Sequence, residues 1–280
     1  MPSDSSHLTR IAKELEPAAT FRHLREQCPL YRDDDHDPPY YVLSRFADVV
    51  EVLKSPQVWG NRDGPGIFYQ EKGVLGSADN PDHARHRRIL QSAFVPTAIA
   101  RLESAVAAIA DELFDEMAPR GEGDFVELFA TPFPAIVIGE LLGVRAEDRV
   151  DFERWSLDAV AALTGGDLET YAAAKSAIED CIEAQVDDRE RMLVAAGVVT
   201  GAPAGDAAAA DPLGSVLPAD VSSIMCLAVR DGLLSREEMR HVGYQLLVAG
   251  HETTSSRLSL FLPRLVERPQ AMATLRADPA

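Results

Sequence analysis

Ala249-Gly250-His251-Glu252-Thr253-Thr254 lies inside a stretch, residues 242–262, that otherwise reads as an apolar helix. These six residues work against that helix. Glycine costs about 1 kcal/mol relative to alanine in a helix interior, and two adjacent β-branched threonines add a smaller penalty. A carboxylate in apolar surroundings has to be paired, hydrated or protonated. Conflicts of this kind mark functional sites. Ala249 and Thr253 are one turn apart on one face, so the Thr253 hydroxyl can donate back to the Ala249 carbonyl. That opens a local groove. Ala249 and Gly250 are small enough for a flat ligand to approach the backbone, and Glu252 can feed protons from water. The plain alternative is a small-residue helix crossing with a solvated Glu252 and a structural Thr253. His251-Glu252 also begins the zinc pattern His-Glu-x-x-His, but the second histidine position is Ser255, which excludes it.

Upstream, Ser235-Arg236-Glu237-Glu238 is a capping box that starts the helix carrying the hexad. Running over residues 236–267, that helix is about 48 Å long at about 1.5 Å per residue. Pro263 is expected to kink or break it near Ser259. A second informative stretch covers residues 79–94. Asn80 is the expected cap of a short helix, with Pro81 in its first turn and Asp82 near its positive end. With His83 at 0° and about 100° per residue, Arg87 falls at about 40°, Leu90 at about 340° and Phe94 at about 20°. One face thus carries two cations and two large apolar groups, as a flat, greasy dianion requires. Arg85 and Arg88 point elsewhere. The alternative is a solvated basic helix; His83 and His86 lack the third ligand of a metal site.

The chain has 280 residues, enough for one large domain or two small ones. Its formal charge, 27 − 45 = −18, excludes a general nucleic-acid or anionic-membrane surface, though a local basic patch remains possible. Cys28, Cys181 and Cys226 have no metal spacing and fit a reducing cytoplasm. No signal-like segment or membrane-span run occurs, so the protein is expected to be soluble and cytoplasmic. Helices are expected over residues 8–15, 21–27, 46–54, 97–117, 132–142, 149–163, 171–194, 220–230 and 269–275, with a short helix at 124–128 and a strand at Tyr40-Tyr41-Val42-Leu43. Residues 33–37 read as a solvated acidic loop. The Ala-, Gly- and Pro-rich residues 197–215 read as a flexible surface linker within a single domain, 1–280.

Ala-Gly-x-Glu-Thr-Thr in a long helix, together with His83-x-x-x-Arg87 followed by Ala93-Phe94, resembles the cytochrome P-450 monooxygenases of the bacterial soluble type. The resemblance implies a mainly α, P-450-like helical fold with a small β region. It implies heme b (iron protoporphyrin IX) and insertion of one oxygen atom from O2 into a small, largely apolar molecule. Electrons would come from NAD(P)H through a ferredoxin reductase and a ferredoxin. Glu252 and Thr253 would deliver protons, and His83 and Arg87 would hold the heme propionates. Phe94, Ala249 and Gly250 would contact the cofactor, and Arg85 and Arg88 would dock the electron carrier. Residues 57–80 would cover the substrate pocket, with Ile67, Phe68 and Leu75 open as lining residues.

The resemblance covers residues 20–280 and stops before the family's Glu-x-x-Arg helix and cysteine loop, so the chain reads as the N-terminal two thirds. Glu237-Glu238-Met239-Arg240 matches Glu-x-x-Arg but lies at the start of the long helix. None of the three cysteines has the family's Phe-x-x-Gly surroundings, so no axial metal ligand is assigned. The alternatives are a catalytically incomplete fragment or a heme-free helper that acts by binding.

Overall fold

The computed structural model describes residues 18–34, 37–64, 73–165, 167–198 and 212–278. The expected helix at 8–15, Ile67 and Phe68, and most of the 197–215 linker lie outside the described residues. The chain divides into two compact units, Met1–Asn80 and Pro81–Ala280.

In the first unit, helix α1 (Ala18–Gln27) leads into strand β1 (Leu30–Asp33), strand β2 (Tyr40–Leu43) and helix α2 (Phe46–Lys54). The strands pair antiparallel, with Leu30 opposite Leu43 and Asp33 opposite Tyr40. β2 was legible because Tyr, Tyr and Val are strong β-formers; β1 was not, because Arg32 and Asp33 dilute its signal. Pairing also corrects one expectation. Asp33 is buried rather than solvated, and the Tyr40 hydroxyl donates to its carboxylate at 2.7 Å. Leu75 sits half-buried in a 3₁₀ turn, Leu75–Ser77.

The second unit is helical: α3 (Asp82–Leu90), α4 (Pro96–Met117), a π-helical turn Val126–Ala130, α5 (Pro132–Leu142), α6 (Arg149–Gly165), α7 (Leu168–Ala195), α8 (Val221–Arg230), α9 (Arg236–Val266) and α10 (Pro269–Ala277). Local chemistry sets the ends. Asp167 accepts from the Thr170 amide at 3.0 Å and caps α7, and Asp220 accepts from the Ser223 amide at 2.7 Å and caps α8. α5 stops at Gly143, which takes the left-handed conformation at φ 77°; a Cβ there would meet the Asp220 carboxylate at 2.2 Å.

α9 is the central element and packs on α5, α6, α7 and α8. Met239, Val242, Tyr244 and Leu247 of α9 join Ile178, Ile182 and Val186 of α7 and Met225 of α8 in the core. Two glycines let neighbours come close. A Cβ on Gly243 would lie 2.7 Å from Ile182 of α7, and one on Gly250 would lie 2.3 Å from Ile138 of α5. At its N-terminal end α9 faces an acidic row on α7: Arg236 reaches Asp187 at 2.8 Å and Glu190 at 2.7 Å, and Arg240 reaches Asp180 at 2.7 Å and Glu183 at 2.9 Å. Several of the chain's many carboxylates are thus paired with arginines across one helix pair. The expected break near Ser259 does not occur, and α9 continues through Pro263 to Val266. Proline removes one amide donor here, close to the helix end, and the last turn still closes through the Glu267 amide on the Pro263 carbonyl at 3.0 Å. No single helix among the described residues is long and apolar enough to cross a membrane.

Candidate active site

The predicted capping box starts α9. Ser235 accepts from the Glu238 amide at 3.1 Å, and the Glu238 carboxylate accepts from the Ser235 amide at 2.8 Å. Glu238 has a second role: it receives the Arg85 guanidinium of α3 in a short ion pair and lies 3.3 Å from His86 Nε2. Arg85 also donates to the Leu233 carbonyl at 2.6 Å. The Arg85 hydrogen bond, with help from the Ser235 amide and His86, holds the Glu238 carboxyl well below the usual range, at about 2. α3 is therefore fastened to the first turn of α9. The hexad begins eleven residues beyond Glu238, about 16 Å along the axis at about 1.5 Å per residue.

At the hexad, the Thr253 hydroxyl donates to the Ala249 carbonyl at 2.7 Å. Both residues are exposed and Glu252 is half-buried. Glu252 and Thr253, with Ser256, Arg257, Leu260, Phe261 and Arg264, line one open trough. Gly250 has a different task from the one its small size suggested. Its Cβ direction is filled by Ile138, so it serves the α9–α5 crossing, and the small residue on the open face is Ala249.

On α3, His83 is half-buried, and Arg87 is exposed with no acidic partner among the described residues. Phe94 does not continue their face. The α-helix ends at Leu90 and residues Gln91–Phe94 form a 3₁₀ turn. Each residue there advances about 120° instead of about 100°, which displaces Phe94 by about 80° over four residues. Pro81, not Asn80, occupies the N-cap, without a side-chain bond. Arg85 is also corrected. Its donors are taken by Glu238, Asp82 and Leu233, so it anchors α3 and is not offered to a carrier. Arg88 remains exposed, with no ion pair among the described residues.

Two contacts between α9 and Thr131 were not expected from the sequence. His251 is buried and its Nε2 lies 3.1 Å from the Thr131 carbonyl, while Ser255 donates to the Thr131 hydroxyl at 3.4 Å. The only signal was the four-residue spacing of His251 and Ser255; nothing in the sequence ties Thr131 to them. Burial lowers the His251 pKa, opposed in part by the Thr131 carbonyl.

These residues fit one half of a heme site. His83 and Arg87 suit carboxylates, and Ala249 leaves backbone accessible beside the Thr253 hydroxyl. Two of the three thiols do not suit a metal-ligating thiolate. Cys181 and Cys226 are buried, and desolvation pushes each up to about 11, which keeps them protonated. No cluster of three or more metal-ligating side chains occurs among the described residues.

The chain matches the family model for cytochrome P450 over residues 7–278. It is 29% identical over 270 residues to a steroid C26-monooxygenase of Mycobacterium tuberculosis, covering 95% of this chain and 61% of that protein. It is 31% identical over 256 residues to cytochrome P450 107B1 of Saccharopolyspora erythraea, covering 86% and 56%. Substrate-free CYP109E1 from Bacillus megaterium superposes with a TM-score of 0.73 at 25% identity, covering 94% of this chain and 64% of that one. The chain thus spans less than two thirds of the length of these relatives.

Proposed function

We propose, from the premise that the chain belongs to the cytochrome P450 family, that it forms the distal half of a heme-dependent monooxygenase site. The reaction places one oxygen atom from O2 in a small, largely apolar organic molecule. Similarity to a steroid C26-monooxygenase makes a flat, greasy substrate one member of that class. Heme, when bound, supplies the oxygen chemistry. His83 and Arg87 hold its carboxylates by charge-assisted hydrogen bonds. Ala249 lets the flat group lie close to the α9 backbone.

The observation that carries the reading is the Thr253–Ala249 bond at 2.7 Å on an exposed face. The hydroxyl gives its proton to the carbonyl, which leaves its oxygen lone pairs free to accept from a ligand or water in the trough. Half-buried Glu252 is next in sequence and contacts both solvent and trough. It can take a proton from bulk water and pass it on, a role commonly worth about 10²–10⁴-fold. Electrons come from NAD(P)H through a ferredoxin reductase and ferredoxin. On a chain of charge −18, a local cation such as exposed Arg88 is where an acidic carrier docks.

The test is Thr253→Ala in the full-length protein with its redox partners. Substrate binding and NAD(P)H consumption are retained, while product per NAD(P)H falls and hydrogen peroxide rises. An unchanged ratio makes Thr253 a structural residue and removes the central support of the reading.

A further inference from the structure

The hexad is a weak place in α9. Gly250 favours the unfolded chain, Thr253 and Thr254 are poor helix formers, and the Thr253 hydroxyl shares the Ala249 carbonyl with the helix ladder. Among the described residues, the Thr253 hydroxyl bonds only within α9, so it does not tie this turn to another element. The opposite face does. With Thr253 at 0° and about 100° per residue, Ala249 and Leu260 fall within about 40° of it, while His251 lies at about 160° and Ser255 at about 200°. Both of these back-face residues reach Thr131: His251 Nε2 lies 3.1 Å from its carbonyl, and the Ser255 hydroxyl donates to its hydroxyl at 3.4 Å.

Thr131 is itself held firmly. It joins the π-helical turn Val126–Ala130 to α5, and its amide donates to the Val126 carbonyl at 3.0 Å. Single π turns of this kind recur at functional sites. Four phenylalanines brace it: Phe129 stacks on Phe125 at 5.3 Å, on Phe133 at 5.1 Å and on Phe114 at 4.5 Å between ring centroids.

The imidazole fits a dedicated donor. To bond a carbonyl, Nε2 must carry the proton, which leaves Nδ1 bare. Nδ1 is buried and has no hydrogen-bond partner among the described residues. A neutral ring with one proton, on Nε2, is what this arrangement requires.

We infer that His251 is a positioning residue whose bond to the Thr131 carbonyl, backed by Ser255, fixes the rotation of α9 that presents Glu252 and Thr253 to the trough. The inference rests on the proposed monooxygenase reading for its consequence, but the latch itself does not. A rotation of about 10° moves an atom about 5.5 Å from the helix axis by about 1 Å. A misplacement of that size costs up to about 10²-fold where a proton must be passed along a set geometry. The latch therefore changes the chemistry while hardly touching the global fold.

Two readouts test it in the full-length protein. His251→Phe keeps an aromatic ring and removes the donor, His251→Gln restores a donor, and His251→Leu controls for the larger ring. Amide exchange over residues 249–255 rises roughly tenfold in the Phe and Leu variants, the effect of one lost hydrogen bond, and returns toward the parent in His251→Gln. Exchange over residues 236–247 stays as in the parent. Product per NAD(P)H falls in the same two variants and recovers in His251→Gln. Unchanged exchange in both the Phe and Leu variants overturns the latch. Raised exchange with an unchanged product ratio overturns its positioning role. If the parent protein makes no product at all, the monooxygenase reading fails, and exchange alone decides the latch.

Discussion

Glu238→Gln isolates the charge that fastens α3 to α9. Glutamine still accepts the Ser235 amide, so the capping box survives. What disappears is the charge opposite Arg85 and beside His86. Moving the Glu238 carboxyl from its ordinary 4.5 down to about 2 corresponds to at most about 3–4 kcal/mol, at about 1.4 kcal/mol per tenfold change. The two side chains keep 33% and 27% of their surface in solvent, which screens the pair and brings the expected loss to about 2 kcal/mol. That predicts a fall in Tm of roughly 4–8 °C for a unit of this size. The pH dependence follows from the direction of the shift. A carboxyl depressed in the folded state adds stability above its unfolded pKa and loses it as pH falls through the folded one. The gap between parent and variant is therefore full at neutral pH and closes between about 4.5 and about 2. Urea unfolding of both proteins at a series of pH values measures it. Equal midpoints at neutral pH, or a gap that stays constant through that acid window, refutes the anchoring role of Glu238.

Two further predictions concern packing and thiols. Gly250→Ala gains helix propensity of about 1 kcal/mol but forces its Cβ to within 2.3 Å of Ile138. A net destabilisation of about 1–2 kcal/mol is expected, relieved when Ile138→Ala is added. A single variant as stable as the parent shows that α5 gives way freely. Cys181 and Cys226, held at about 11 by burial, stay protonated at neutral pH. A thiol reagent should modify both far more slowly in the folded protein than in urea. Prompt labelling of either in the folded protein contradicts that burial.

Much of this protein is legible in one dimension because its signals are local. A capping box is four consecutive residues, and it placed the start of α9 at Ser235. The apolar run over residues 132–142 placed α5, which ends before Gly143, and the back-bonding of Thr253 to Ala249 follows from a four-residue spacing alone. The hexad and the His83–Arg87 pair identified the family for the same reason. Pairing across space was decided elsewhere. Arg85 looked outward on a helical wheel, yet Glu238, more than 150 residues away in sequence, draws it in. Gly250 looked like room for a ligand, and Ile138 fills it. Phe94 left its expected face because α3 tightens into a 3₁₀ turn. His251 was weighed as half of a zinc pattern and set aside, and only the fold shows the Thr131 carbonyl against it. A side chain's local sequence sets its reach and direction, but the partner that satisfies it is chosen when helices pack and buried donors must find acceptors.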